Sequence, residues 1–163
     1  MMTAPVILLL SGPNLNLSGV REPEVYGHET LTDHVATTTR RAAELGFAVA
    51  HYQSNHEGEL IDRIHAARGV ACAIVANVGA LTHTSWAIHD ALAAFDGVVV
   101  ELHLSNPAAR EPFRHTSVIA GVSDGLIAGF GATGYALAVD AVAAVLERRG
   151  AGRRGARRRG NDA

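Results

Sequence analysis

Glu101 and His103 stand two residues apart within Val98-Val-Val-Glu-Leu-His-Leu104, a run with the composition of a β-strand. Alternate strand residues point to the same side, so the carboxylate can hold the imidazole in one tautomer. An imidazole held this way is a general acid or base. The same residues serve equally well as a buried structural ion pair. Ser105 and Asn106 follow directly, putting a hydroxyl and backbone amides at the strand end, a setting suited to an anion. Arg110 and Arg114 add permanent positive charge for a carboxylate or a hydroxylated ligand.

A second candidate lies in the segment Arg21-Glu-Pro-Glu-Val-Tyr26-Gly27. A phenol titrates near 10, about three units too high for a base at neutral pH. Closing that gap takes about 4 kcal/mol of preferential phenolate stabilisation. A neighbouring arginine, which does not deprotonate, supplies that kind of interaction. The plain alternative is a surface tyrosine beside a surface arginine.

Other chemistries lack support. Gly129-Phe-Gly-Ala-Thr-Gly134 matches the dinucleotide fingerprint, but that site needs a further strand ending in an acid about 20 residues on. Only a helical pattern and an arginine-rich tail follow, so the glycines are read as a tight turn with close helix-to-sheet packing, and no cofactor is expected. There are 9 histidines, yet none falls into a His-Glu-x-x-His or facial-triad spacing, and no metal is expected. No Gly-x-Ser-x-Gly elbow is present. Every one of the 14 basic residues is arginine, which excludes an imine-forming lysine.

These groups must be carried by a framework, and the chain supplies one. Continuous apolar runs at Pro5–Ser11, Phe47–Gln53, Val70–Asn77 and Val98–Leu104, with a fifth at Leu126–Phe130, read as buried strands. Between them, Leu31–Gly46 (capped by Thr32), Glu57–Gly69, Thr84–Phe95 and Tyr135–Arg149 read as helices. Alternation at this spacing predicts a parallel, doubly wound α/β sheet with its ligand at the strands' C-terminal ends. The polar clusters agree: Asn14 and Asn16, Ser54 to Glu57, Asn77 to Ser85, and His103 to Asn106 each follow a strand. The polar segment Gly12 to Thr30 is long for a compact domain and is expected to be functional.

The chain has 163 residues, enough for one domain with a sizeable core. Residues 148–163 hold 7 of the 14 arginines and 1 of the 16 acids, a balance of +6; the body holds 7 against 15, a balance of −8. The tail, 150–163, offers little to pack and is read as lacking fixed structure. With no interleaved aromatic residue, nucleic acid is not an expected partner. No stretch is long and apolar enough to span a membrane, and Met1–Leu10 lacks a basic leader region. The single Cys72 fits a reducing cytoplasm.

Gly12-Pro-Asn-Leu-Asn-Leu17, Arg21-Glu-Pro with Tyr26-Gly27, Gln53-Ser-Asn-His-Glu-Gly58, Gly79-Ala-Leu-Thr-His-Thr-Ser85, Glu101-Leu-His-Leu-Ser-Asn106 and Arg110-Glu-Pro-Phe-Arg114 occur in this order. Together they resemble the type II 3-dehydroquinate dehydratases, over about Val6 to Leu146. The resemblance implies a flavodoxin-like fold with a five-stranded sheet for residues 1–149. It implies reversible loss of water from 3-dehydroquinate, giving 3-dehydroshikimate through an enolate, in the shikimate or quinate pathway. It makes Tyr26 the base and Arg21 the group that lowers its pKa. Asn14 holds a water on the enolate oxygen, while His103, oriented by Glu101, protonates the departing hydroxyl. The carboxylate falls to Leu104 and Ser105, and the hydroxyls to Asn77, His83 and Arg114. Asp90 reaches in from a neighbouring subunit of a homododecamer, a tetramer of trimers. Val78, Ser18, His89 and Val118 depart from common family choices without removing a catalytic group. An amino-substituted analogue is a close alternative substrate; a fold-keeping regulator is a more distant one.

Overall fold

The structure, a computed structural model, describes residues 3–20 and 28–160, with backbone only beyond Ala151. Five strands, β1 (Val6–Ser11), β2 (Ala48–Gln53), β3 (Ala71–Asn77), β4 (Val98–His103) and β5 (Gly125–Ala128), form one sheet in the order β2-β1-β3-β4-β5. Every pairing is parallel. Four α-helices connect or follow them: α1 (Leu31–Glu44), α2 (Glu57–Ala67), α3 (Trp86–Ala93) and α4 (Thr133–Gly160). The expected doubly wound α/β architecture is present, in the order of the flavodoxin-like fold.

The apolar runs become central strands because both faces are covered. Ile7 and Leu9 of β1, with Val75, Val100 and Leu102, pack against Ala42 of α1 and Tyr135, Ala138, Val139 and Val142 of α4. Leu8 and Leu10, with Ile74 and Val99, pack against Leu60 and Ile64 of α2 and Ile88 and Leu92 of α3. Burial of each such aliphatic side chain contributes about 1.5–3 kcal/mol. A truncation such as Ile74→Ala, at a fully buried position, falls in the range of about 2–5 kcal/mol lost.

Several boundaries differ from the sequence expectation, β5 for one spanning Gly125–Ala128 and not Leu126–Phe130, and two of the differences bear on what holds the helices. The cap of α1 is Thr30, not Thr32: its side chain accepts from the Asp33 N–H while the Asp33 carboxylate accepts from the Thr30 N–H. This reciprocal pair satisfies two amides that would otherwise lack partners. The last helix continues to Gly160 instead of ending at Arg149; the two alanines and five arginines of 150–160 favour helix, against four glycines that do not. The glycine-rich fingerprint is the turn from β5 into α4, with Gly129 at φ 87°. Among the described residues no strand follows it. None of the described helices is long and apolar enough to cross a membrane.

One buried group has consequences for stability. His34 of α1 is 1% exposed, stacks on Tyr135 with ring centroids 4.6 Å apart, and among the described residues has no hydrogen-bond partner on either nitrogen. Burial lowers its pKa below the ordinary histidine value; the charges of Glu29 and Asp33 oppose this without reversing it. The unfolded chain therefore binds this proton more readily than the folded one. The stability contribution is complete above about pH 6.5 and is lost as pH falls through the folded value. Burial lowers the His51 pKa as well. Urea midpoints measured from pH 7 down to pH 5 should fall for the wild type and fall less steeply for His34→Phe, which keeps the stack. Identical slopes would show that His34 is not a titrating group.

Candidate active site

The C-terminal ends of β1, β3 and β4 open onto one pocket. Pro13, Asn14, Leu15, Leu17, Ser18, Asn77, Gly79, Ala80, His83, His103, Leu104, Ser105, Pro107, Arg110 and Arg114 line it. It lies where the connections from β1 and β3 leave on opposite faces, the usual ligand position in open α/β sheets. The two loops meet closely. The Gly12 N–H donates to the Asn77 carbonyl at 2.8 Å, and a Cβ at Gly12 would sit 2.5 Å from the Val78 carbonyl carbon. No side chain fits there.

Asn14 follows with φ 68°, the one non-glycine residue in the left-handed region among those described. Asparagine tolerates this conformation better than most residues. The Asn55 side chain holds it there, accepting from the Asn14 N–H at 2.9 Å and from Gln53 Nε2 at 3.2 Å. The Ser54-Asn55 cluster after β2 thus acts as a brace for the β1 loop.

Glu101 and His103 form the pair expected from their spacing. The His103 Nε2 lies 2.7 Å from Glu101 Oε1, with the carboxylate fully buried and the imidazole 8% exposed. Ser117 Oγ donates to the other carboxylate oxygen at 3.0 Å. A buried carboxylate needs such partners, because its desolvation costs several kcal/mol. With the Nε2 proton given to Glu101, Nδ1 is the ring nitrogen left for the pocket. Glu101 does not line the pocket and acts through the imidazole.

His83 is fixed in the complementary way. Its Nδ1 lies 2.8 Å from the Thr116 carbonyl, which accepts the ring proton and leaves Nε2 as an acceptor. The two imidazoles are nearly parallel, 6.3 Å between centroids at 11°, and therefore address a ligand from the same wall. Arg110 and Arg114 supply the charge. Arg114 Nε donates to Glu111 at 2.9 Å and its guanidinium lies 4.7 Å from the centre of the Phe113 ring. Arg110 Nη1 reaches Ser105 Oγ at 3.5 Å. The Glu111 backbone N–H, then Arg114 and Arg110, hold the Glu111 carboxyl below its usual pKa. It stays ionised and keeps both guanidinium groups in place.

Of the residues singled out from the sequence, Asn14, Asn77, His83, His103, Leu104, Ser105 and Arg114 come together in the pocket. Glu101 stands behind them. Asp90 is not among the lining residues; it projects from α3 with its side chain 82% exposed, 3.0 Å from His89. Arg21 and Tyr26 lie outside the described residues. The ends of that segment are nonetheless placed. Leu17 and Ser18 line the pocket, and a Cβ at Gly19, φ 83°, would sit 2.7 Å from the His28 carbonyl oxygen. Sequence reasoning missed Ser117 and Thr116, and it placed Asn55 in the polar cluster after β2 without its bracing role, because these roles arise only through tertiary contact. Among the described residues no cluster of three or more potential metal ligands occurs.

Comparison with known proteins agrees with this geometry. Residues 5–143 match the family described as dehydroquinase class II. A 3-dehydroquinate dehydratase of Cereibacter sphaeroides is 58% identical over 133 residues, 82% of this chain and 90% of that protein. The 3-dehydroquinate dehydratase 2 of Pseudomonas putida is 52% identical over 147 residues, 90% of this chain and 99% of that one. Among solved structures, the type II dehydroquinase of Butyrivibrio crossotus superposes with a TM-score of 0.83 at 42% identity, covering 86% of this chain and 99% of that one. With the fold, the pocket and these matches in agreement, the chain belongs to the class II dehydroquinase family.

Proposed function

We propose that the pocket removes water from 3-dehydroquinate, giving 3-dehydroshikimate, with Tyr26 as base and His103 as acid. Family membership makes the chain a 3-dehydroquinate dehydratase, an enzyme of the shikimate pathway. The observation that carries the mechanism is the fully buried Glu101 carboxylate bonded to the His103 ring. It holds the imidazole in one orientation at the pocket, as a general acid requires.

In the proposed reaction Tyr26, its phenolate favoured by Arg21, takes a proton from the carbon beside the ketone. The electrons move to the ketone oxygen, giving an enolate, which a water held by Asn14 stabilises. As the enolate collapses, the bond to the hydroxyl on the next carbon breaks and His103 protonates the leaving oxygen as water. The ring carboxylate lies at Leu104 and Ser105, and Asn77, His83 and Arg114 hold its hydroxyls. The close approach of Gly19 to the His28 carbonyl supports this assignment, because it brings the residues flanking that segment together beside Ser18 of the pocket lining.

Asp90 is assigned to a neighbouring subunit's pocket in a homododecamer, a role supported by its outward position on α3. Residues 1–149 are assigned as the catalytic domain, with 150–163 an appendage to it, working without a cofactor in the cytoplasm.

Purified protein given 3-dehydroquinate should show rising enone absorbance. No signal anywhere between pH 6 and 9, from assembled protein, would end this reading. Tyr26→Phe should lower kcat by about 10²–10⁴ while leaving the fold intact. Glu101→Gln should lower kcat by roughly 10² with a smaller change in KM, since it removes the charge behind His103 but keeps its shape. Borohydride should leave activity untouched whether or not substrate is present. Substrate-dependent inactivation would instead indicate an imine.

A further inference from the structure

We infer that Tyr135 is a positioning residue for the reaction, its buried hydroxyl setting the plane of the Asn77 amide where that amide meets substrate. The inference rests on the reading of Asn77 as a substrate-binding residue. Asn77 ends β3, is 3% exposed and lines the pocket. Its Nδ2 donates to the Tyr135 hydroxyl at 3.3 Å. An asparagine amide carries two N–H donors and one acceptor oxygen in one plane. Committing one N–H to a fixed partner turns the other N–H and the oxygen in a set direction.

The partner is fixed. Tyr135 is fully buried in the first turns of α4, on the sheet face opposite Glu101 and His103. Its ring stacks on His34 of α1, with an interplanar angle of 13°. Among the described residues His34 makes no hydrogen bond through either nitrogen, and its ring face packs flat on Tyr135. Burial also pushes the Tyr135 phenol up to about 12, so the hydroxyl stays neutral across the working range. The α1–α4 layer thus reaches the substrate through one hydroxyl, although no residue of either helix lines the pocket.

The test is a double-mutant cycle with Tyr135→Phe and Asn77→Ala, reading kcat and KM separately. Phenylalanine keeps the stack and removes only the oxygen. Tyr135→Phe should raise KM about five-fold, the effect of one hydrogen bond, with kcat within about two-fold. In the Asn77→Ala background the same substitution should change KM by less than about two-fold. Equal KM losses in both backgrounds would overturn the inference, as would a loss confined to kcat. A Tyr135→Phe protein that does not fold would overturn it too, because the hydroxyl would then be holding the fold. Wild-type KM in Tyr135→Phe beside an impaired Asn77→Ala sinks this inference alone. Wild-type KM in Asn77→Ala sinks the underlying reading of Asn77 as well.

Discussion

A carboxylate with no solvent exposure organises the catalytic edge of this protein. Left alone, the Glu101 charge would cost several kcal/mol inside the sheet; here both oxygens are engaged, one by His103 and one by Ser117. The Ser117 bond has reach. Ser117 belongs to the long connection between β4 and β5, and its neighbours Thr116 and Val118 bond to His83 and to the Thr82 carbonyl. The turn after β3, the catalytic strand and the returning connection are therefore linked through adjacent residues. Holding the His103 ring and holding the His83 ring are parts of the same packing solution.

Strand register divides the labour between the two faces of the sheet. Ala76 pairs with Glu101, so Glu101 and His103 face the α2–α3 layer while Asn77, one residue on, faces α1 and α4. Each face carries its own buried polar contact, Glu101 with Ser117 on one side and Tyr135 on the other. The two meet only past the strand ends, where Gly12 lets the β1 loop close against Val78. The rigid sheet thus sets the separation of groups that long side chains alone would leave variable.

What was legible in the sequence was whatever a single element carries. Strands covered on both faces are continuous apolar runs, so β1, β3 and β4 could be read directly. Glu101 and His103 share a strand face at spacing two, so their contact followed from geometry. The cap of α1 shows how close such reading comes: Thr30 with Asp33 three residues on was there to be read as a capping box, but Thr32 is also a threonine. The contacts that failed to show join distant elements. His34 and Tyr135 meet because α1 and α4 pack side by side on one face, and no local pattern distinguishes that stack from ordinary buried rings. Ser117 and Thr116 were hidden for the same reason. Arg21 and Tyr26 came forward from local chemistry as a candidate base, and through resemblance as the base itself.

The pocket wall itself argues for where a base must come from. His83 and His103 stand nearly parallel on one side, so both address the same edge of a ring. Among the described residues His83 has no carboxylate partner, and it gives its proton to a carbonyl, which suits it to accept a hydroxyl's hydrogen bond. The remaining lining groups are amides, a serine at each of two loops, two arginines and apolar side chains. Arginine stays charged throughout the working range. The proposed reaction therefore draws its base from another segment. Gly19 and His28, which flank one such stretch, approach each other beside Ser18 of the lining, and the sequence between them carries a tyrosine with an arginine five residues before it. That tyrosine is the base of the proposed reaction, and the described lining of the pocket offers no second candidate beside the two histidines.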